Sequence, residues 1–144
     1  MNTSPSPADR AFVRRFESGE VAPEAFDHRA HLRLAYGYLC GSSAERAYPK
    51  MRASILSLLD RNGIGRTKYH ETVTVAWLQA VHYFMRKAGE VASFDELLEA
   101  DDRLLDTSIM LTHYSKARLF SDEARVRFLP PDLDPIPLEK PLDS

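Results

Sequence analysis

The chain has 144 residues, of which 44% are hydrophobic and 28% are charged, with a formal net charge of −2. This length suits one domain with a substantial core, and the balanced charge gives no bulk attraction to nucleic acid or to an anionic membrane surface. The single cysteine, Cys40, excludes an intramolecular disulfide and fits a reducing compartment. Because no apolar run approaches the ~20 residues of a membrane span and the first ten residues are polar, we expect a cytoplasmic protein.

Apolar residues recur at helical spacing through most of the chain, which predicts an all-α fold. The predicted helices are residues 7–17, 28–39, 43–59, 69–87, 93–106 and 107–115, with a last turn after position 121. Five of these seven predicted starts have a residue that can cap them: Ser6, Asp27, Ser42, Ser93 and Ser121. We therefore expect an irregular bundle of about five or six helices.

The C-terminal segment LPPDLDPIPLEKPLDS is rich in proline and cannot form a regular helix. We expect it to cross the surface in extended form, anchored by the apolar side chains Phe128, Leu129, Leu133 and Ile136. The predicted organisation is a single helical domain over residues 1–137 and a frayed tail over residues 138–144.

Three of the five histidines occupy the starts of predicted helices. His28 and His31 lie three residues apart and share the apolar face of their helix, and His70 shares a face with Thr74 and Trp77. Three inward-facing imidazoles could converge on one metal ion and leave coordination positions open. The ligand type suits a divalent transition metal, namely zinc, iron, nickel or copper, without selecting one of them.

Glu71 follows His70 directly and is the candidate catalytic residue. It could be a further metal ligand, a general base on metal-bound water, or a carboxylate that complements the positive end of the helix. The metalloprotease motif H-E-x-x-H begins in the same way, but Thr74 occupies the position of its second histidine. A protease function is therefore not predicted.

Four residues are expected to surround this site. Asp27 could accept a hydrogen bond from an imidazole N–H and so fix the tautomer of the ring. Tyr38 continues the face of the first two histidines, and Thr74 and Trp77 continue the face of His70.

Other interpretations remain open at this stage. The histidines could all be packed, hydrogen-bonded core residues, which would leave a structural or interaction module. They could also be polar groups in a non-catalytic pocket for a small molecule, lined by Trp77, Tyr36, Tyr38 and Phe84. The roles of His113 and of the pair Arg118 and Arg125, which flank a possible anion site at a helix start, are undecided.

Four stretches resemble a family of small, uncharacterised bacterial proteins: FDHRAHLRLA, KYHETVTVAW, YSKARLFSDEAR and PDLDPIP. The family carries the blocks F-x-H-x-x-H-x-x-x-A, Y-H-x-T-x-T and Y-S-x-x-x-L-x-S-x-x-A-R followed by P-D-L. The resemblance implies a shared architecture and a shared site, but no named reaction. Under this resemblance, the residues of this chain that match functional positions of the family blocks are His28, His31, His70, Thr72, Thr74, Ser115, Ser121 and Arg125.

The sequence thus predicts a small metal-binding helical protein, an enzyme with hydrolytic or oxidative chemistry on a small molecule. The alternative is a non-catalytic helical protein that binds a small molecule in a pocket of aromatic and histidine side chains. Neither interpretation includes nucleic acid or a membrane as a partner, and neither fixes the oligomeric state.

Overall fold

The computed structural model describes residues 5–137, which form α-helices and short 3-10 helices without a strand in that range. The α-helices are α1 Pro7–Glu17, α2 His28–Leu39, α3 Ala44–Arg61, α4 Glu71–Ala88, α5 Phe94–Ala100, α6 Lys116–Leu119 and α7 Asp122–Val126. The 3-10 helices are Pro23–Ala25, Arg66–Lys68, Asp102–Leu105 and Thr107–Thr112. The predicted all-α class is confirmed. No described helix is both long and apolar enough to cross a membrane.

Helix starts follow the predicted caps with one exception. Ser6, Asp27, Ser93 and Ser121 each accept a backbone N–H from the first turn of the helix that follows. At α3 the cap is Ser43, which accepts the N–H of Arg46 at 3.2 Å, so the prediction of Ser42 is wrong by one residue.

Three predicted helices differ from the observed ones in their extent. The third ends at Arg61 instead of residue 59, and it contains Pro49 in its second turn, where the missing N–H costs one intrahelical hydrogen bond without ending the helix. The fourth helix starts at Glu71 instead of residue 69, because the His70 side chain caps it. The predicted helix over residues 93–106 breaks at Asp101, whose carboxylate accepts the N–H of Arg103 and starts a 3-10 helix.

Helices α2 and α4 lie at the centre of the bundle. α2 packs against α1, α3, α4 and α5, and α4 packs against α2, α3, α5 and α7. The centre of the core contains the fully buried side chains of Leu32, Leu34, Tyr36, Val81 and Leu78. Gly37 permits the close approach of α1 to α2, since a Cβ atom there would lie 2.5 Å from Cγ2 of Val13.

The segment over residues 127–137, which we call the C-terminal strap, runs in extended form across the bundle. Leu129 and Ile136 are buried and anchor it, as predicted, and Phe128 is partly buried. Leu133 differs from the prediction, because 51% of its side chain remains exposed. The predicted frayed tail, residues 138–144, lies outside the described residues.

Candidate functional site

His70 is the N-cap of α4, and hydrogen bonds occupy both of its ring nitrogens. Nδ1 accepts the backbone N–H of Val73 at 3.1 Å, and Nε2 lies 2.9 Å from the carbonyl oxygen of Leu119. Since a carbonyl can only accept, the ring proton belongs on Nε2 and the imidazole is neutral. Burial lowers the pKa of His70, and the positive charge of Arg125 acts in the same direction, while the bond to Leu119 opposes it.

Glu71 projects from the first turn of α4 into a cluster of aromatic hydroxyl groups. Tyr69 donates its hydroxyl to Oε1 at 2.7 Å and Tyr48 donates to Oε2. The guanidinium of Arg52 lies 3.5 Å from Oε1, and the Glu71 side chain is only 14% exposed. Burial, followed by the bond to Glu71, raises the pKa of Tyr48 to about 12, so the phenol stays protonated and serves as a donor. The carboxylate is therefore held in one orientation by three side chains.

His28 and His31 lie close together at the start of α2. Nε2 of His28 is 2.9 Å from the carbonyl oxygen of Leu104, and its ring packs edge-on against Trp77 with ring centres 4.6 Å apart. His31 packs edge-on against Phe26. Burial lowers the pKa of His31 to about 4, and the charge of His28 adds to the effect. Nε2 of His28 donates to the carbonyl, so in the neutral form of the ring the lone pair is on Nδ1.

The remaining predicted site residues occupy different places. Thr74 donates its hydroxyl to the backbone carbonyl of His70 at 2.8 Å, inside α4. Asp27 accepts the N–H of Ala30 at 2.9 Å as the cap of α2. Tyr38 bonds to Glu17 and Ser54, each at 2.6 Å, between α1 and α3. In the structure His28 thus lies near His31 and Trp77, and His70 is hydrogen-bonded to Thr74. Tyr38 lies in another part of the bundle.

No three or more histidine, cysteine, aspartate and glutamate side chains within residues 5–137 are grouped so that they could hold a metal ion. In this arrangement His70 has no lone pair to offer, because Nδ1 is already an acceptor and Nε2 is a donor. The metal centre predicted from His28, His31 and His70 stays a prediction, and the structure supplies a different set of partners for each of these imidazoles.

Thr72 has a structural role that its sequence position did not reveal. Its buried hydroxyl donates to the carbonyl oxygen of Arg127 at 2.9 Å and accepts the N–H of Leu129 at 3.0 Å. One side chain of α4 therefore satisfies two backbone groups of the C-terminal strap. Together with the contact of His70 to Leu119, this makes the start of α4 one of the places at which the C-terminal part of the chain is attached.

A pocket of about 280 Å³, which we call the α4 pocket, lies at the other end of α4. It forms where that helix meets the 3-10 helices and the strap. Its lining residues are Ala80, Tyr83, Phe84, Arg103, Ile109, Met110, Thr112, His113, Ile136 and Pro137. The strap forms one wall, where Nδ1 of His113 lies 2.7 Å from the carbonyl oxygen of Asp134.

This pocket shares only Phe84 with the aromatic pocket expected from the sequence. Tyr36, Tyr38 and Trp77 are buried in the core instead. Four residues of the wall, Arg103, Ile109, Met110 and Thr112, belong to short 3-10 helices that no sequence motif marked, whereas Ile136 and Pro137 end the stretch PDLDPIP.

Comparison of the chain with protein-family models, with curated proteins and with solved structures finds no match. The functional argument therefore depends on the geometry described above, and the family resemblance stays a prediction.

Proposed function

We propose that the protein binds a small, largely apolar molecule in the α4 pocket. The observation that supports this proposal is the cavity itself, whose volume of about 280 Å³ lies near the lower end of the range of small-molecule sites. Its wall combines aromatic and aliphatic side chains with the polar groups of Arg103, Thr112 and His113. A few polar groups in an apolar wall are the usual composition of such sites, because they orient a ligand that the apolar surface holds.

The pocket is a partly open cleft, because Arg103 and Thr112 in its wall are exposed whereas Met110 and Ile136 are buried. The core beside it is closely packed, as protein interiors usually are, since Val81 and Leu78 on the same helix are fully buried. A ligand in the pocket would add contacts to the apolar part of its wall.

Two matched tryptophan substitutions test the pocket. Ile109 lines the cavity, whereas Leu105, on the preceding 3-10 helix, is 43% exposed and lies outside the lining. We expect the neutral fluorophore N-phenyl-1-naphthylamine to gain fluorescence with the native protein and with Leu105→Trp. Ile109→Trp should abolish the gain, because the indole fills the cavity. Equal fluorescence for the two variants, or none with the native protein, would overturn the proposal.

Metal binding at the start of α2 is a second candidate function, and one observation favours it. His28 donates Nε2–H to a backbone carbonyl, which is the usual outer contact of a metal-binding histidine, and the neutral His31 lies three residues further along the same helix face. A divalent transition metal there would need further ligands, and recruiting His70 would break its cap on α4. Under this candidate Glu71 acts as a ligand or a general base, and the protein is a cytoplasmic metalloenzyme.

Elemental analysis separates the two candidates. Protein purified without a histidine tag and exposed to zinc, iron, nickel and copper should retain stoichiometric metal under the second candidate. His28→Ala, His31→Ala and His70→Ala should each abolish retention, whereas His82→Ala should not. Native protein that stays metal-free in all four metals removes this candidate and leaves the pocket as the functional site.

A further inference from the structure

The charge in the wall of the α4 pocket is of one sign. Among the described residues that line it, Arg103 is the one that is charged at all ordinary pH values, and none is acidic. From this we infer that the α4 pocket selects organic anions, with an apolar body in the cavity and a carboxylate bound by Arg103. The inference rests on the proposed function, because it names the class of ligand for the same pocket.

Arg103 is held in place before any ligand arrives. Its Nε and Nη2 donate to the two carboxylate oxygens of Asp101, at 2.9 and 2.5 Å. Its guanidinium also lies over the ring of Phe84, 5.3 Å from the ring centre. These hydrogen bonds lower the pKa of Asp101 to about 2, so the pair stays ionised. A fixed guanidinium loses little conformational freedom when it binds a further group, which favours affinity.

One edge of the guanidinium is still open. Nη1 of Arg103 makes no hydrogen bond within residues 5–137, although the other two nitrogens are occupied. A carboxylate that reached Nη1 would form a charge-assisted hydrogen bond, which is stronger than a bond to a neutral hydroxyl. Asp101 reduces the net positive charge here, so the expected preference for anions is moderate.

A pair of probes with the same apolar body measures this preference. 4-Phenylbutyrate and 4-phenylbutan-1-ol differ in the head group alone, and both are small enough for the pocket. In isothermal titration calorimetry at low salt we expect the acid to bind the native protein about tenfold more tightly than the alcohol. Asp101→Asn should widen the difference, because it removes the competing carboxylate.

Arg29 provides a matched control for Arg103. It lies 5.4 Å from the centre of an aromatic ring, that of Phe94, and pairs with Asp95, but it lines no part of the α4 pocket. The two arginine side chains are exposed to similar degrees, 50% for Arg29 and 57% for Arg103. Arg103→Gln should reduce the acid to the affinity of the alcohol and leave the alcohol unchanged, whereas Arg29→Gln should change neither.

The outcomes distinguish a failure of the proposed pocket from a failure of the proposed ligand class. If neither probe binds the native protein, the proposed function fails and the inference fails with it. If both bind equally, or if the acid keeps its advantage in Arg103→Gln, the pocket stands and the assignment of organic anions through Arg103 is wrong.

Discussion

The two ends of α4 use their side chains in opposite ways. At the start of the helix, His70, Glu71 and Thr72 are each hydrogen-bonded to other elements of the fold. In its second half, Tyr83 and Phe84 line the α4 pocket. The end that looks chemically active in the sequence is thus the one whose polar groups are most fully engaged, and the end without a motif provides room for a ligand.

The comparison shows what decides whether a histidine next to a glutamate at a helix start is structural or chemically active. A capping histidine offers its lone pair to a backbone N–H, so it is no longer free for a proton or a metal ion. The same residue types can hold the fold together or perform chemistry, and the partners of each ring nitrogen decide between these roles.

The C-terminal strap contacts both ends of α4, so truncation within it can separate them. A chain that stops after Arg127 loses both buried anchors, Leu129 and Ile136, and also the N–H of Leu129 that donates to the hydroxyl of Thr72. We expect its free energy of unfolding to fall by about 4 kcal/mol or more, since each large apolar side chain contributes ~1.5–3 kcal/mol. A chain that stops after Asp134 loses only the second anchor and should fall by about 2 kcal/mol.

Urea denaturation of the three chains measures these differences. Equal midpoints for the full chain and the chain that stops after Arg127 would show that the strap does not pack. Equal losses of unfolding free energy in the two truncated chains would show that the contacts of the strap at the start of α4 do not stabilise the fold. The contrast between the two ends of the helix would then be wrong.

Two buried threonines near the start of α4 test how much its hydrogen bonds to the strap contribute to stability. Thr72→Val removes both hydrogen bonds to the strap and leaves the buried N–H of Leu129 without a partner, which should cost about 1–3 kcal/mol. Thr74→Val removes a bond to the carbonyl of His70, which keeps its bond from the backbone N–H of residue 74. The second change should therefore cost less, about 1 kcal/mol or below.

Chemical denaturation of this matched pair gives the measurement, since valine has nearly the shape of threonine. A larger loss for Thr74→Val would contradict the role assigned to Thr72 as the attachment point of the strap.

Much of the fold was accessible to sequence reasoning because its determinants are local. Ser6 and Asp27 cap their helices through residues three positions away, and Gly89 ends α4 with a φ of +79° that favours glycine. Apolar periodicity predicts that His70 faces inward, and in the structure its ring is partly buried and lies 2.9 Å from the carbonyl oxygen of Leu119.

The candidate site was less accessible because its determinants are distant in sequence. Nothing near His70 in the chain indicates the carbonyl of Leu119, and nothing near Phe84 indicates that Met110 and Ile136 will complete a cavity with it. Periodicity shows which side of a helix is buried, but it does not show whether the opposing surface fills the space. The metal prediction assumed that inward imidazoles lacked partners, whereas backbone carbonyls satisfy two of them.

The smallest expected effect is the pH dependence at the start of α4. The folded-state pKa of His70 lies below its ordinary value of 6.5, chiefly through burial, so the unfolded chain binds this proton more readily than the folded one. Stability from the neutral cap is therefore fully present above the unfolded pKa and is lost as the pH falls through the folded pKa. Protonation of Nδ1 would also end its bond to the N–H of Val73.

His70→Asn isolates this contribution. The asparagine side chain can still cap the helix but cannot titrate, and it is too short to keep the bond to Leu119. We expect the variant to have a lower urea midpoint at neutral pH but a weaker decline than the native protein between about pH 7.5 and 5. The slope is the decisive quantity, because a histidine with the same pKa in the folded and unfolded chains would change the midpoint and leave its pH dependence the same. Parallel curves for the two proteins would mean that the neutral imidazole cap is not what couples this end of α4 to pH.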